Sequence, residues 1–234
     1  MIGSPLESRV AFMLGPIPIS EQVVVTWALM VLLALGSMLA ASALRIKPSR
    51  WQAFLEIVLG AIEQEIKAAA HASAKPYMPL IGTLFVFILL ANWSSLAPGV
   101  EPPTAHIETD AALGLIVFVA IIYFGIRARG PAGYLKSFIE PVWLMAPMNI
   151  LETFTRTFSM IVRLFGNVMS GVFIIGIVLS LAGLLVPIPL MALELLTGAV
   201  QAYIFTVLAM AFIAGAVNEG HNPSGSKDNA HGTH

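Results

Sequence analysis

Residues 148–186 read MNILETFTRTFSMIVRLFGNVMSGVFIIGIVLSLAGLLV, and no proline interrupts them. From Leu164 onward the stretch carries no charge; before it, Glu152, Arg156 and Arg163 are interleaved with Leu151, Phe154, Phe158, Met160, Ile161 and Val162. At 1.5 Å per residue, about 39 helical residues extend roughly 58 Å, whereas the hydrocarbon of a bilayer is only about 30 Å thick. A helix of that length either projects from the membrane or lies far over within it. Charges spread along the helix, not gathered at one end as in a projecting stalk, favour the tilt. The expectation is a long, strongly tilted helix over 142–186.

Downstream, no charge follows Glu194 until Glu219, and Pro187 and Pro189 divide the apolar block into two helices joined by a turn. The tilted helix should therefore form a hairpin with a last helix over 190–217. Glu194 and Gln201 are seven residues apart and share a face of that helix. An intramembrane carboxylate is a functional-site candidate by default. A straight hairpin folded about Ile188 would set Gln201 opposite Ile175, not Arg163. Arg163 itself is permanently charged, and mid-membrane it costs at least about 2.5–3.5 kcal/mol. Gly166, Asn167 and Ser170 follow it at helical spacing, making a small-residue face that lets another helix approach closely. The alternative is an arginine at the end of its span, snorkelling to the headgroups.

Upstream, residues 23–44 form a charge-free run that ends at the basic cluster Arg45, Lys47 and Arg50. It is too long for a signal-peptide core and has no basic segment before it, so it reads as a true span. Residues 77–98 make a second span and residues 111–126 a shorter third, bracketed by Asp110 and Arg127. Residues 51–72 differ. Trp51, Phe54, Leu55, Val58, Leu59, Ile62, Ile66 and Ala69 recur at helical spacing, while Gln52, Glu56, Glu63, Gln64, Lys67 and His71 take the other face. Such a helix lies in the membrane interface or packs its stripe on a partner; it does not span.

Composition agrees with this pattern. Apolar residues make up 58% of the chain and charged residues 11%, against about 45–50% and about 25% in soluble domains. The fold class is thus an all-α membrane protein: about five transmembrane helices, one interfacial amphipathic helix, and a single membrane domain over 23–217. Twelve basic against 13 acidic residues give no basic face for nucleic acid. With no cysteine there is no disulfide, thiolate nucleophile or cysteine metal site. Lys and Arg crowd the 45–76 and 127–141 connections, whereas the 99–110 loop holds Glu101, Glu108 and Asp110 and no basic residue. The positive-inside rule then sets residues 1–22 and the acidic loop outside, and the polar tail 218–234 inside, where its composition reads as disordered. No internal repeat of the secondary-transporter kind is visible. Nor is a phosphate loop, a dinucleotide fingerprint or a serine elbow, so the chain shows no catalytic apparatus, and neither a cofactor nor a metal is expected. His106, Glu108 and Asp110 would be weak metal ligands, since such loop clusters are usually solvated; with Asn92, Ser94 and Ser95 they would instead continue a polar track to the outside.

The pentapeptide Arg163-Leu164-Phe165-Gly166-Asn167, with Ser159 before it, resembles the signature of subunit a of the F-type ATP synthases. Pro147-x-Asn149-x-x-Glu152 followed by Thr155-Arg156 is similar to that family's lead-in. Pro187-Ile188-Pro189 and then Gln201-Ala202-Tyr203-Ile204-Phe205 resemble its C-terminal block. The resemblance is strongest over 140–218, and upstream it rests on the order of spans.

The resemblance implies a membrane stator of the Fo sector that carries ions past a rotating c-ring and is held by a peripheral stalk b subunit, in a bacterial inner membrane. Arg163 matches the stator arginine. Asn167 and Gln201 match its polar neighbours, which implies that Gln201 lies near it. Glu194 stands where the family places a titratable residue of the outer half-channel, with Asn92 beside that path; Glu152 matches an acidic position near the inner one. Gly166 and Ser170 would face the rotor. One departure is Val172, where some members carry an acidic or histidine partner for the arginine. The transported ion would be a proton, with a Na+ version of the same subunit as the alternative. A free-standing channel or carrier, working without a ring, is the competing class; a purely structural scaffold would leave Arg163, Glu194 and Gln201 as unexplained costs.

Overall fold

The computed structural model of the chain describes residues 10–14, 17–42, 50–70, 74–96, 100–139, 146–183 and 186–218. The expected polar tail lies outside these residues, apart from Asn218 at the end of the last helix. Two short strands, β1 (Val10–Leu14) and β2 (Ile17–Ser20), pair antiparallel ahead of the first span. The sequence reading assigned no strands there, although Gly15-Pro16 is a turn dipeptide between apolar runs. Everything that follows is helical: α1 (Glu21–Ser42), α2 (Arg50–Ala70), α3 (Met78–Trp93), α4 (Ile107–Ile139), α5 (Ala146–Ala182) and α6 (Pro187–Asn218). Single 3-10 turns occupy Ser94–Leu96 and Pro103–Ala105. Five helices are long and apolar enough to cross a membrane: Glu21–Ser42, Met78–Leu96, Ile107–Ala128, Leu151–Leu181 and Pro187–Val217. The chain is an integral membrane protein of the all-α class, the one β-hairpin lying ahead of its first span.

Two boundaries differ instructively from the expectation. α4 starts one turn before the expected 111 and runs past Arg127 to Gly130, where φ is +75° and Pro131 follows. Charges mark where hydrocarbon ends, not where hydrogen bonding ends, so Asp110 and Arg127 were poor markers of the helix itself. α5 ends at Ala182 and α6 begins at Pro187, so the hairpin reverses before Ile188, which is already inside α6. Gly183 takes φ +76° just after the last residue of α5, the left-handed conformation that closes helices and that glycine adopts without a Cβ penalty. Pro187 then opens α6, a position where its missing N–H costs nothing.

The core is built by α3, α4, α5 and α6, with Ile81 and Ile88, Val117, Leu164, and Phe205 and Ile213 fully enclosed. α2 adds its apolar stripe to this core: Ile62 and Ile66 are buried, and Val58 and Ala69 pack beside them. Leu59, counted on that stripe from the sequence, is exposed instead. The charged face of α2 stays outward. There Lys67 Nζ meets Glu63 Oε1 at 2.7 Å, and the lysine holds the Glu63 carboxyl below its usual range. α1 stands apart. Gln22 is its only buried residue, and Trp27, Met30, Leu35, Met38 and Leu39 are all exposed, a surface that only lipid or a partner helix can cover.

The apolar part of α5, Leu151–Leu181, is 31 residues, about 46 Å of helix. Fitting that into about 30 Å of hydrocarbon requires a lean of roughly 50°, far beyond the ~20° average. Its contact with α4 is close. A Cβ on Gly114 would come within 2.5 Å of Ile161 Cγ1 and 2.6 Å of Ile161 Cδ1. Gly114→Val should therefore lower the thermal stability of the purified protein, by the ~1–3 kcal/mol typical of overpacking. Adding Ile161→Ala should restore much of the loss in the same melting experiment, because it removes the atoms that clash.

Candidate functional site

α5 separates two kinds of surface. Thr157, Met160, Leu164 and Val168 are buried against the bundle. On the other side Ser159, Arg163, Gly166 and Ser170 are exposed, and Asn167 sits half-buried between the two faces. This follows from helical geometry: 163, 166 and 170 are one, then two turns apart on one stripe. The Ser170 hydroxyl is turned back onto Asn167 O at 2.9 Å, which leaves the stripe flat. Among the described residues Arg163 makes no ion pair or hydrogen bond. Glu152 and Arg156, the other charges of this helix, pair with each other across one turn, and the Arg156 guanidinium stands 5.4 Å over the Phe212 ring of α6. An open groove of about 490 Å³ runs along α5 from Met148 and Glu152, past Ser159, to Arg163, with Leu208 and Phe212 as its opposite wall.

The register of the α5–α6 hairpin decides what faces the arginine. Glu194 lies against Gly171: a Cβ there would meet Glu194 Oε1 at 2.8 Å and Cδ at 2.9 Å. The carboxyl can lie there because residue 171 has no side chain. Counting seven residues on along both helices from that contact, two turns of each, brings Gln201 to the level of Leu164, next to Arg163 in the chain. The expectation that spacing alone would set Gln201 opposite Ile175 is corrected; it assumed a pivot at Ile188, and the turn at Gly183 moves the register by more than two helical turns. Gln201 is buried with its amide nitrogen unpartnered, and Glu194 keeps one oxygen unpartnered, among the described residues. Val172 is half-buried, next to the glycine that receives Glu194.

At the end of the bundle that carries the acidic loop, Asn92 has both amide atoms engaged. Its Nδ2 donates to Gly198 O of α6 at 2.9 Å, and its Oδ1 accepts from the Thr104 hydroxyl at 2.8 Å. Gly198 permits that approach, since a Cβ there would sit 3.0 Å from Asn92 Cβ. Trp93 adds a bond from Nε1 to Leu195 O at 3.1 Å. Asn92 therefore clasps the loop, α3 and α6 together. Ser94 and Ser95 donate their hydroxyl protons back to Ala91 O and Asn92 O, which leaves them only as acceptors along a track. His106 bridges Gln22 of α1 (3.3 Å) and Glu101 (3.4 Å). Glu108 is exposed while Asp110 is fully buried, so the loop acids do not converge, and among the described residues no three His, Asp or Glu side chains group as metal ligands. Thr104, Gly171 and Gly198 escaped the sequence reading. The glycines have a legible signal, a missing side chain opposite a polar one in a neighbouring span, but it can be used only once the register is known.

Comparison with known proteins fits this geometry. The family model described as ATP synthase A chain matches residues 23–214. The chain is 54% identical to ATP synthase subunit a 2 of Bradyrhizobium sp. strain BTAi1 over 217 residues, covering 93% of this chain and 97% of that protein. It is 47% identical to ATP synthase subunit a of Albidiferax ferrireducens over 211 residues, 89% of this chain and 91% of the relative. It is 41% identical to the subunit a of Nitrosospira multiformis over 220 residues, 93% and 88% of the two chains. With the matched region spanning all five apolar helices and containing Arg163, Glu194 and Gln201, the chain belongs to the ATP synthase A chain family.

Proposed function

We propose that this chain is the ion-translocating stator of a rotary ATP synthase, working against a c-ring and held by a peripheral stalk b subunit in a bacterial inner membrane, with its N-terminus outside and its C-terminus in the cytoplasm. The observation that carries the reading is Arg163: a permanent cation, unpaired among the described residues and exposed on a stripe of small residues. Such an arrangement is costly in lipid unless an anionic partner slides past it. A rotor carboxylate has the required charge, and Gly166 and Ser170 give it a path close to the helix backbone.

Protons enter from outside by a half-channel to which Glu194 and Gln201 contribute, with Asn92 holding its wall in place. They neutralise a ring carboxylate, which then travels through lipid. Near Arg163 the fixed cation lowers the carboxyl pKa, by about 1–3 units for a charge at that range, and the proton leaves along the groove towards Glu152. Asn167 supports the arginine from the edge of the same face. Arginine does not deprotonate, so it also closes a direct leak between the two paths. Each charge crossing 100 mV releases about 2.3 kcal/mol, and several per turn drive the attached soluble motor; the stator itself makes and breaks no covalent bond.

Purification tests the proposal. The tagged chain, extracted from native membranes in mild detergent, should bring down a ring-forming proteolipid and a single-span stalk subunit, and the reconstituted assembly should pump ions when it hydrolyses ATP. A chain that purifies without those partners and still conducts ions in liposomes would show a free-standing channel instead.

A further inference from the structure

The outer loop holds one group that the half-channel described so far leaves unused. Asp110 has no solvent exposure, and neither of its carboxylate oxygens has a hydrogen-bond partner among the described residues. It stands four residues beyond His106, the extended residue just ahead of α4, and its backbone N–H reaches His106 O at 3.4 Å. Exposure falls steadily inward along this line. The Glu101 side chain is 64% exposed and the His106 side chain 11%, and Asp110 is 0% exposed. Glu101 and His106 are already joined at 3.4 Å, and Gln22 holds the other ring nitrogen at 3.3 Å, fixing the imidazole at the entrance.

Packing encloses this part of α4. One turn further along, Gly114 meets Ile161 and Thr157 of α5, and Asp110 lies one turn nearer the outer end of the same helix. A carboxyl buried there without a partner is costly, and asparagine or valine would fill the space more cheaply. Its place in the first turn of α4 supplies some compensation for a negative charge through the helix dipole.

We infer that Asp110 is the buried ion-accepting carboxylate at the inner end of an entry path that opens at Glu101 and His106. The inference rests on the stator reading and deepens it by assigning the outer entrance. In its proton form, a proton from outer water binds the imidazole of His106 and passes to the Asp110 carboxylate, giving the neutral acid. The same proton then moves on towards Glu194 and Gln201, and Asp110 returns to the carboxylate. For a sodium ion, the same oxygens would coordinate the cation.

The test uses the whole complex in liposomes, carrying Asp110→Asn, Asp110→Glu or Arg163→Ala. ATP-driven uptake is followed in parallel with a pH-sensitive dye and with radiolabelled Na+, which identifies the ion. Thermal inactivation of ATP hydrolysis reports assembly. The expected result is that Asp110→Asn assembles and resists heat at least as well as wild type, since an unpartnered buried carboxyl has gone, yet pumps at least about 100-fold more slowly. Asp110→Glu should recover part of the rate. A merely structural aspartate would lose stability and pumping together and would overturn the inference, as would failure of both Asp110 variants to assemble. Wild-type pumping by Asp110→Asn would also overturn it. If that occurs while Arg163→Ala is silent, the stator reading survives and only the entry path is wrong; if Arg163→Ala also pumps, both fall.

Discussion

Arg163→Ala should give a complex that assembles and hydrolyses ATP but pumps no ions and supports no synthesis. Arg163 lies on the exposed side of α5, and the buried side of that helix is made by Thr157, Met160, Leu164 and Val168. Truncating Arg163 therefore removes nothing from the core. It even relieves a desolvation penalty of at least about 2.5–3.5 kcal/mol, so assembly should not suffer. What disappears is the field on the passing carboxylate. A shift of about 1–3 pKa units, at 1.36 kcal/mol per unit, corresponds to roughly 10- to 1000-fold in the equilibrium for proton release. The barrier between the two paths disappears as well, so residual flux should be a leak uncoupled from ATP. Arg163→Lys should be far from wild type, because a desolvated lysine can lose its proton where arginine keeps it. Dye-based pumping assays on liposomes, with assembly and hydrolysis checked on the same sample, decide the matter. Near wild-type coupled pumping by Arg163→Ala would reduce the residue to a snorkelling anchor.

How much of this was legible in the sequence depends on the kind of signal each feature leaves. The long helix carrying Arg163 was legible because its evidence is local: no proline, no charge beyond 163, and a length that no upright span can use. The all-α membrane architecture was legible for the same reason. The hairpin register was not. Pro187 and Pro189 look like the break, yet a proline is well tolerated in the first turn of a helix, and the stop signal was Gly183. Moving the pivot by a few residues moves every cross-hairpin pair, which is why Gln201 was placed opposite Ile175 from spacing and beside Arg163 only by resemblance. The stripe of α2 was read too wide. Ile62 and Ile66 are core, whereas Leu59 is exposed, because α6 and α3 cover only part of the helix circumference. Asp110 was read as a solvated mouth residue, a sound default for acids in loops. Its burial comes from tertiary packing around the start of α4, where the neighbouring loop is tied to α3 by the Asn92–Thr104 bond, a pairing that no short sequence window reveals.

Gly171→Ala should separate stability from transport. In an exposed helix interior, alanine in place of glycine gains up to about 1 kcal/mol, and at 171 the Cβ clashes with no backbone and no packed core atom. It meets the Glu194 side chain, with Oε1 at 2.8 Å, Cδ at 2.9 Å and Cγ at 3.2 Å. The far end of a glutamate moves at little cost in energy, so the complex should assemble with unchanged or slightly raised thermal stability. The carboxyl, however, must leave the niche in α5 that it occupies now. Displacing a proton-handling group by about 1 Å can cost up to about 100-fold in rate, so ATP-driven pumping should fall by roughly tenfold or more. Gly171→Val should lower it further, since its two methyl groups fill the niche completely. The compensating change is Glu194→Asp: one methylene shorter, the carboxyl clears the new Cβ. The Gly171→Ala, Glu194→Asp double variant should therefore pump faster than Gly171→Ala alone, although Glu194→Asp by itself slows the wild type. That reversal of sign is what direct contact requires, and additive losses in a double-mutant cycle would show that Glu194 does not work from its place against Gly171.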